Sequence, residues 1–246
     1  MSRARSSKGR RRKGIHHVSN KEGPADGADL TLMYRHRFSD AERQAMTKVW
    51  RVLIDHFFQK WIGPEDAVLD VGAGLCNFIN QIDAGRKVAA DADTSVGERC
   101  AAGVSFVECG CEALGEADLG GKFDVVFVSN LLEHLANGDA VLALLASIRG
   151  HMNPGSRLII LQPNFALVGA SYFDFIDHKT ILTDKSLSEA LALSGFDIIY
   201  LKRRFLPYTS KSSIPKAPWL VRLYLMLPIA QYFFGKQTLV VARPTP

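Results

Sequence analysis

Short, continuous apolar runs alternate with helical patterns along most of this chain. The runs predict strands at 67–71, 87–90, 104–107, 123–128, 157–162, 197–200 and 238–242. Continuous apolar strands are typical of a parallel sheet, because helices cover both of its faces. The alternation therefore predicts an α/β fold with a doubly wound, seven-stranded, mostly parallel sheet and helices on both faces.

The predicted helices fill the intervals between these strands. Ser39 and Glu42 form a capping-box pattern at the start of a helix that runs through Ile62. Further helices are predicted at 76–82, 95–102 and 186–194, with helical segments over 131–151 and an apolar helix at about 219–234 before the last strand. Because 47% of the 246 residues are hydrophobic, one sizeable core is expected. We expect a single domain over 29–246.

The basic charge is concentrated at the N-terminus. Seven of the 30 Lys and Arg residues lie within 1–14, which holds no acidic residue, so the rest has 23 basic against 25 acidic residues. Residues 1–28 lack a hydrophobic period and are predicted to form a disordered basic arm. A solubilising tail is the favoured interpretation. The alternative is an electrostatic tether to nucleic acid or anionic lipid.

Cysteine usage and hydropathy point to a cytoplasmic protein. The four cysteines form neither a disulfide framework nor a zinc pattern, so reduced thiols and no metal site are expected. The N-terminus has no apolar run of a secretory signal. The longest apolar stretch, 219–234, is interrupted and shorter than a bilayer span, which leaves peripheral membrane contact as the alternative.

The strongest local motif lies at the end of the first strand, at Asp70-Val71-Gly72-Ala73-Gly74. Gly72 and Gly74 allow a sharp turn and close approach of a ligand, and ligands of such sheets bind at the carboxyl ends of the strands. A nicotinamide-dependent oxidoreductase would need a third glycine where Asn77 stands. The carboxylate of Asp70 would also repel a pyrophosphate, and it favours a cationic or amine-bearing ligand instead.

The second strand ends in a pair of acidic residues, Asp91 and Asp93. A carboxylate at this place, about twenty residues after the glycines, can hold the two hydroxyls of a ribose. One of the two acids can instead cap the following helix. We assign Asp91 to the ribose and Asp93, or Thr94, to the cap.

With these motifs, the sequence resembles the class I S-adenosylmethionine-dependent methyltransferases. The matching stretches occur in the family's order and spacing, at 68–78, 88–91, 106–114, 123–135 and 153–160. The resemblance covers about residues 40–200. It implies a Rossmann-like fold, S-adenosyl-L-methionine as cofactor and methyl transfer as the reaction.

The resemblance also implies roles for individual residues. The cofactor-binding residues would be Asp70, Gly72, Ala73 and Gly74 at the amino-acid end, Asp91 and Ala92 at the ribose, Cys111 and Glu112 at the adenine, and Asn130 and Leu131 beside the sulfonium methyl. Two positions depart from the family. Cys76 replaces a common glycine, and Cys111 stands where an acidic residue is usual. Glu112, one residue further on, can substitute for that acid.

Methyl transfer to a hydroxyl requires in-line alignment and a group that accepts the hydroxyl proton. The candidates are His134, after the fourth strand, and the pair Asp177-His178, after the fifth. Asp177 can set the tautomer of His178, and loops often carry function. For each histidine, a hydrogen-bonded structural role is the alternative.

The C-terminal third resembles methyltransferases of bacterial polysaccharide and glycolipid assembly. The similar stretches are 177–180, 195–196, 205–209 and 234–237. They imply a sugar or glycolipid hydroxyl as acceptor, and the apolar helix 219–234 fits a lipid carrier or a membrane surface. The same helix can instead cover the sheet or form a dimer interface.

Other acceptors and other classes of protein remain as alternatives. A small-molecule metabolite is one such acceptor. Nucleic acid is disfavoured, because Ser129-Asn130-Leu131-Leu132 stands where base-modifying enzymes often carry an Asn/Asp-Pro-Pro-aromatic run. A binding module without catalysis is a further alternative, and it predicts no bound cofactor.

Overall fold

The computed structural model describes residues 39–208 and 217–246. The predicted arm at 1–28 lies outside these residues, as does the start of the predicted domain at 29–38. The described residues form one seven-stranded sheet, composed of β1 (Ala67–Val71), β2 (Arg86–Asp91), β3 (Val104–Glu108), β4 (Phe123–Ser129), β5 (Met152–Pro163), β6 (Phe196–Leu206) and β7 (Gln237–Pro244).

The strand order is β3-β2-β1-β4-β5-β7-β6. The first five strands in this order pair in parallel, whereas β7 runs antiparallel to both β5 and β6. The predicted seven-stranded, mostly parallel α/β sheet is therefore confirmed. Its topology places the carboxyl ends of β1 to β6 at one edge.

Helices cover both faces of the sheet. The α-helices are α1 (Asp40–His56), α2 (Gly138–Gly150), α3 (Phe165–Val168), α4 (Asp184–Leu193), α5 (Pro218–Met226) and α6 (Pro228–Phe234). The predicted capping box is present, because the Ser39 side chain accepts from the Glu42 backbone N–H and the Glu42 carboxylate accepts from Ser39 N–H.

Alternate strand residues face two separate cores. Leu69 and Val126 pack with side chains of α2 and α4, such as Leu144, on one face. On the other face, Val68 and Phe127 pack with α1. Because both faces are buried, the strands are apolar without alternation, which is why they could be recognised in the sequence.

The helix predicted at 76–82 is wrong: these residues form consecutive turns. Cys76 has φ of 53°, a left-handed conformation that no regular helix contains. The Asn80 amide also bonds to the backbone at Arg99 and Ala101. The helix predicted at 95–102 is instead a 3₁₀-helix over Thr94–Arg99.

The apolar segment 219–234 is not one helix but two, α5 and α6. Leu227 separates them in an extended conformation, with φ of −109° and ψ of 94°. Pro228 causes the break, because it lacks an N–H and disfavours helical geometry in the residue before it. Among the described residues, no helix is both long and apolar enough to cross a membrane.

Candidate active site

The turn after β1 is built on two glycines with positive φ. Gly72 has φ of 71° and Gly74 of 50°. The Gly72 N–H donates to the Ala90 carbonyl at 2.8 Å, which joins the turn to β2. A Cβ on Gly72 would lie 2.8 Å from Cδ1 of Leu131. The turn therefore needs glycine at this position for both its conformation and its space.

Asp91 lies across this turn at the end of β2. Its Oδ2 accepts a 2.9 Å hydrogen bond from Gly74 N–H, and its Oδ1 accepts one of 2.9 Å from Asp93 N–H. Each carboxylate oxygen can accept a second bond, so the half-exposed Asp91 can still receive hydroxyl donors. Asp93 accepts from Ser95 N–H and caps the next 3₁₀-helix, which confirms the prediction that Asp93 is the capping residue.

Asp70 lies beneath the turn and is only 3% exposed. Burial is the main reason that the pKa of its carboxyl is raised to about 8, and the neighbouring charge of Asp91 raises it further. A hydrogen bond from the backbone of Ile79 opposes this shift. Asp70 therefore supports the loop from within, and its contact with the amino-acid end of a cofactor stays a prediction.

The residues predicted for the adenine lie beside Asp91. The N–H of Cys109 donates to the Asp91 carbonyl at 2.9 Å, which holds the segment after β3 against the end of β2. Burial, followed by the charges of Glu112 and Asp91, raises the pKa of the Cys111 thiol to about 12. Ala92 and Glu112 are both exposed. Burial and the charges of Glu112 and Asp91 thus keep the Cys111 thiol uncharged.

Asn130 and Leu131 follow β4 at the same edge. Asn130 is exposed, has φ of 50° and donates its N–H to the Leu161 carbonyl at 2.9 Å. Asparagine tolerates this left-handed conformation better than most residues. The backbone therefore bends away from the strand, and Leu131 packs against Gly72.

The three residues predicted for proton transfer come together. Nδ1 of His134 lies 3.1 Å from the Asp177 carboxylate and 3.2 Å from the Asp177 carbonyl. The His134 and His178 rings are 5.0 Å apart, centroid to centroid. The sequence suggested Asp177 as the partner that sets the tautomer of His178, whereas the structure places its carboxylate at His134.

Glu133 was not predicted, although it belongs to this cluster. It is 1% exposed, and burial is the largest cause that raises the pKa of its carboxyl. Its carbonyl accepts from the N–H groups of Lys179 and Thr180 at 2.8 and 3.0 Å, which ties the 177–180 segment to the end of β4. The available signal was an acid in a leucine-rich segment, four residues after the end of β4.

The cluster also has a composition that some metal sites share. Glu133, His134 and His178 each bring one potential ligand atom within 4.8 Å of the others. Nε2 of His134 lies 4.0 Å from Oε1 of Glu133. The sequence predicted no metal site, because neither the cysteines nor their spacing form a zinc pattern.

Aromatic rings surround His178. It stacks on Phe175 at 5.2 Å and makes an edge contact with Tyr172 at 4.7 Å. Tyr208, just after β6, lies 6.5 Å from the same ring. The histidines therefore lie among aromatic rings and a few polar groups, a combination that small-molecule sites share.

Comparison with known proteins identifies the class. Residues 26–201 match the methyltransferase domain family, whereas no curated protein matches the chain. A S-adenosylmethionine-dependent methyltransferase from Archaeoglobus fulgidus has a similar fold, with a TM-score of 0.58 and 18% identity, over 87% of this chain and 100% of that one. One from Clostridium acetobutylicum gives 0.55 and 10%, over 88% and 98%.

A third similar structure is the S-adenosylmethionine-dependent methyltransferase from Mesorhizobium loti. Its TM-score is 0.54 at 15% identity, over 74% of this chain and 92% of that one. Fold and family together define a class I, S-adenosylmethionine-dependent methyltransferase. The chain belongs to the methyltransferase domain family, and S-adenosylmethionine is its cofactor.

Proposed function

We propose that the protein methylates a hydroxyl group of a sugar or glycolipid. The observation that carries this proposal is the pair His134–Asp177, 3.1 Å apart, next to His178 at the edge where the cofactor residues lie. A histidine held by a carboxylate is a suitable acceptor for the proton that a hydroxyl must lose.

The residues at this edge fit the cofactor. S-adenosylmethionine, when bound, supplies a methyl group on a positively charged sulfonium. Asp91 keeps acceptor capacity for ribose hydroxyls, and the turn at Gly72 and Gly74 brings backbone to the edge without a Cβ. The departure from the family at Cys76 also fits, because its small side chain is fully buried. Asp91, Gly72 and Gly74 would thus hold the adenosyl part.

The histidine cluster accepts the proton that the acceptor hydroxyl loses. The Asp177 carboxylate accepts from Nδ1–H of His134, which leaves the Nε2 lone pair of that ring as the proton acceptor. Once protonated, the ring lies between Asp177 and Glu133, whose Oε1 is 4.0 Å from Nε2. His178 and its aromatic neighbours would position the acceptor hydroxyl, since correct alignment alone can supply several kcal/mol, roughly 7–11 in favourable reactions.

The acceptor class rests on the C-terminal resemblance. Two of its segments are joined through His178 and Tyr208, whose ring centroids lie 6.5 Å apart. Aromatic surface beside hydrogen-bonding groups suits the apolar face and hydroxyls of a sugar. Four free cysteines among the described residues agree with a cytoplasmic site of action, which we include in the proposal.

Labelled S-adenosylmethionine tests the proposal. The purified protein is offered lipid-linked glycans, the same glycans without lipid, and small phenolic metabolites, and the methylated atom is located by mass spectrometry. Methyl ethers on sugar hydroxyls, lost in Asp177→Asn, are expected. Transfer to nitrogen or carbon, or only to phenols, would overturn the acceptor class.

A further inference from the structure

The outward surfaces of α5 and α6 are unusually apolar. Eight of the fourteen large hydrophobic side chains that are exposed among the described residues lie within 219–234: Trp219, Leu223, Met226, Leu227, Ile229, Tyr232, Phe233 and Phe234. Most are more than half exposed, for example Trp219 and Met226 at 68%. A concentration of exposed apolar side chains of this kind marks an interaction site.

This surface is presented by anchored helices. Val221 and Leu225 on the inner side of α5 pack against the core, and the Tyr224 hydroxyl donates to the Phe205 carbonyl at 2.9 Å. Trp219, Leu223 and Met226 repeat at helical spacing on the opposite side. The exposed side chains of α5 therefore form an outer face, whereas the inner face of this helix is already packed against the core.

The same part of the chain carries only positive charge. Residues 199–246 contain eight Lys and Arg residues and no Asp or Glu. Arg222 is exposed on α5, and the Arg204 guanidinium lies 5.3 Å from the centre of the Tyr232 ring. An apolar face accompanied by basic side chains is typical of a helix that lies in the surface of an anionic membrane.

The apolar surface also joins the edge that carries the candidate active site. At the end of α6, Lys236 N–H donates to the Leu206 carbonyl, and the Lys236 carbonyl accepts from Asn164 N–H, at 2.8 and 3.0 Å. These bonds hold the end of α6 at the carboxyl ends of β5 and β6. Anything that binds to this apolar face would therefore lie beside Tyr208 and the histidine cluster.

We propose that the outer face of α5 and α6, the α5–α6 surface, docks onto an anionic lipid bilayer. The apolar side chains enter the headgroup region, and the basic side chains contact lipid phosphates. The inference deepens the proposed function, because a docked enzyme meets an acceptor that is carried by a lipid. A symmetric pairing with a second copy is disfavoured, since it would bring like charges such as Arg222 together.

Vesicle binding of the full-length protein tests this surface. Vesicles of phosphatidylcholine that contain the anionic lipid phosphatidylglycerol are compared with vesicles of pure phosphatidylcholine. We expect co-flotation with the anionic vesicles and a blue shift of Trp219 emission. The double variant Ile229→Ser/Phe233→Ser should bind at least about tenfold more weakly, because two exposed apolar side chains no longer enter the bilayer.

Leu193→Ser is the matched control, because Leu193 is 71% exposed at the end of α4 and should not affect binding. All proteins keep the basic N-terminus, so a difference reports the α5–α6 surface. Equal binding by the double variant, or dimerisation that the double variant abolishes without vesicle binding, would overturn the proposal. Docking without any methylation of lipid-linked glycans would overturn the proposed acceptor but leave docking intact.

Discussion

The backbone N–H of Gly74 donates a 2.9 Å hydrogen bond to the carboxylate of Asp91. This bond joins the turn after β1 to the end of β2, and the other oxygen of the same carboxylate receives the N–H of Asp93. Asp91 thus orders two backbone segments and keeps capacity for further donors. Its removal should affect both the turn and the cofactor.

We expect Asp91→Ala to weaken S-adenosylmethionine binding by about 1.5–3 kcal/mol, the usual contribution of hydrogen bonds to a charged group. Isothermal titration calorimetry measures the loss, and thermal unfolding reports the effect on the turn. Asp118→Ala, in the exposed loop after β3, is the control. An unchanged affinity would remove Asp91 from the ribose.

The raised pKa of Asp70 predicts a pH-dependent stability. In the unfolded chain its carboxyl ionises near pH 4, whereas in the folded protein its pKa is about 8. The folded state therefore holds an extra proton between these values, and stability falls as the pH rises from about 4 to about 8, by up to ~1.4 kcal/mol per unit.

Asp70→Asn should remove this contribution, because the amide is neutral at every pH. Denaturant unfolding at pH 5.5, 6.5 and 7.5 gives the test. The difference in free energy of unfolding between Asp70→Asn and wild type should grow with pH, in favour of the variant. A constant difference would show that Asp70 is ionised throughout this range.

The sequence predicted the strands well because burial on both faces makes them continuously apolar. It placed β1 at 67–71 and the site motifs at the ends of β1, β2 and β4, since parallel strands share one edge. It failed for residues 76–82, where the conformation depends on the left-handed Cys76 and on long-range bonds of Asn80. The local hydrophobic periodicity gives no information about either of these two features.

The histidine cluster was predicted only in part, for a related reason. His134 and His178 were recognised one by one, but the contact of Asp177 with His134 joins residues 43 positions apart. The role of Glu133 depends on its burial and on the backbone bonds to Lys179 and Thr180. Such features follow from the tertiary arrangement and not from residue spacing.

The proton-transfer hypothesis predicts a selective loss of turnover. His134→Ala should lower kcat by roughly 10²–10⁴-fold, the usual contribution of a general base. His178→Ala should also lower turnover, and neither variant should change cofactor affinity. His56→Ala, an exposed histidine at the end of α1, is the control. Full activity in His134→Ala would exclude it as the base.

Chelation distinguishes proton transfer from metal binding at the same cluster. If His134 accepts the proton with Asp177 at its Nδ1, activity needs no ion, and dialysis against EDTA should leave methyl transfer unchanged. Loss of activity that Mn²⁺ or Mg²⁺ restores would instead make Glu133, His134 and His178 ligands, with Asp177 orienting one of them.

Asn80 should stabilise the irregular segment that replaces the predicted helix. Its Nδ2 donates to the Arg99 carbonyl at 2.8 Å, and its Oδ1 accepts from Ala101 N–H at 2.9 Å. Asn80→Ala removes both bonds and should lower the free energy of unfolding by about 1–3 kcal/mol. Asn80→Asp keeps the acceptor for Ala101 but places a carboxylate against the Arg99 carbonyl, so it should also be destabilising. If Asn80→Ala unfolds like wild type in denaturant, these bonds do not hold the segment, and the conformation of Cys76 alone prevents the helix.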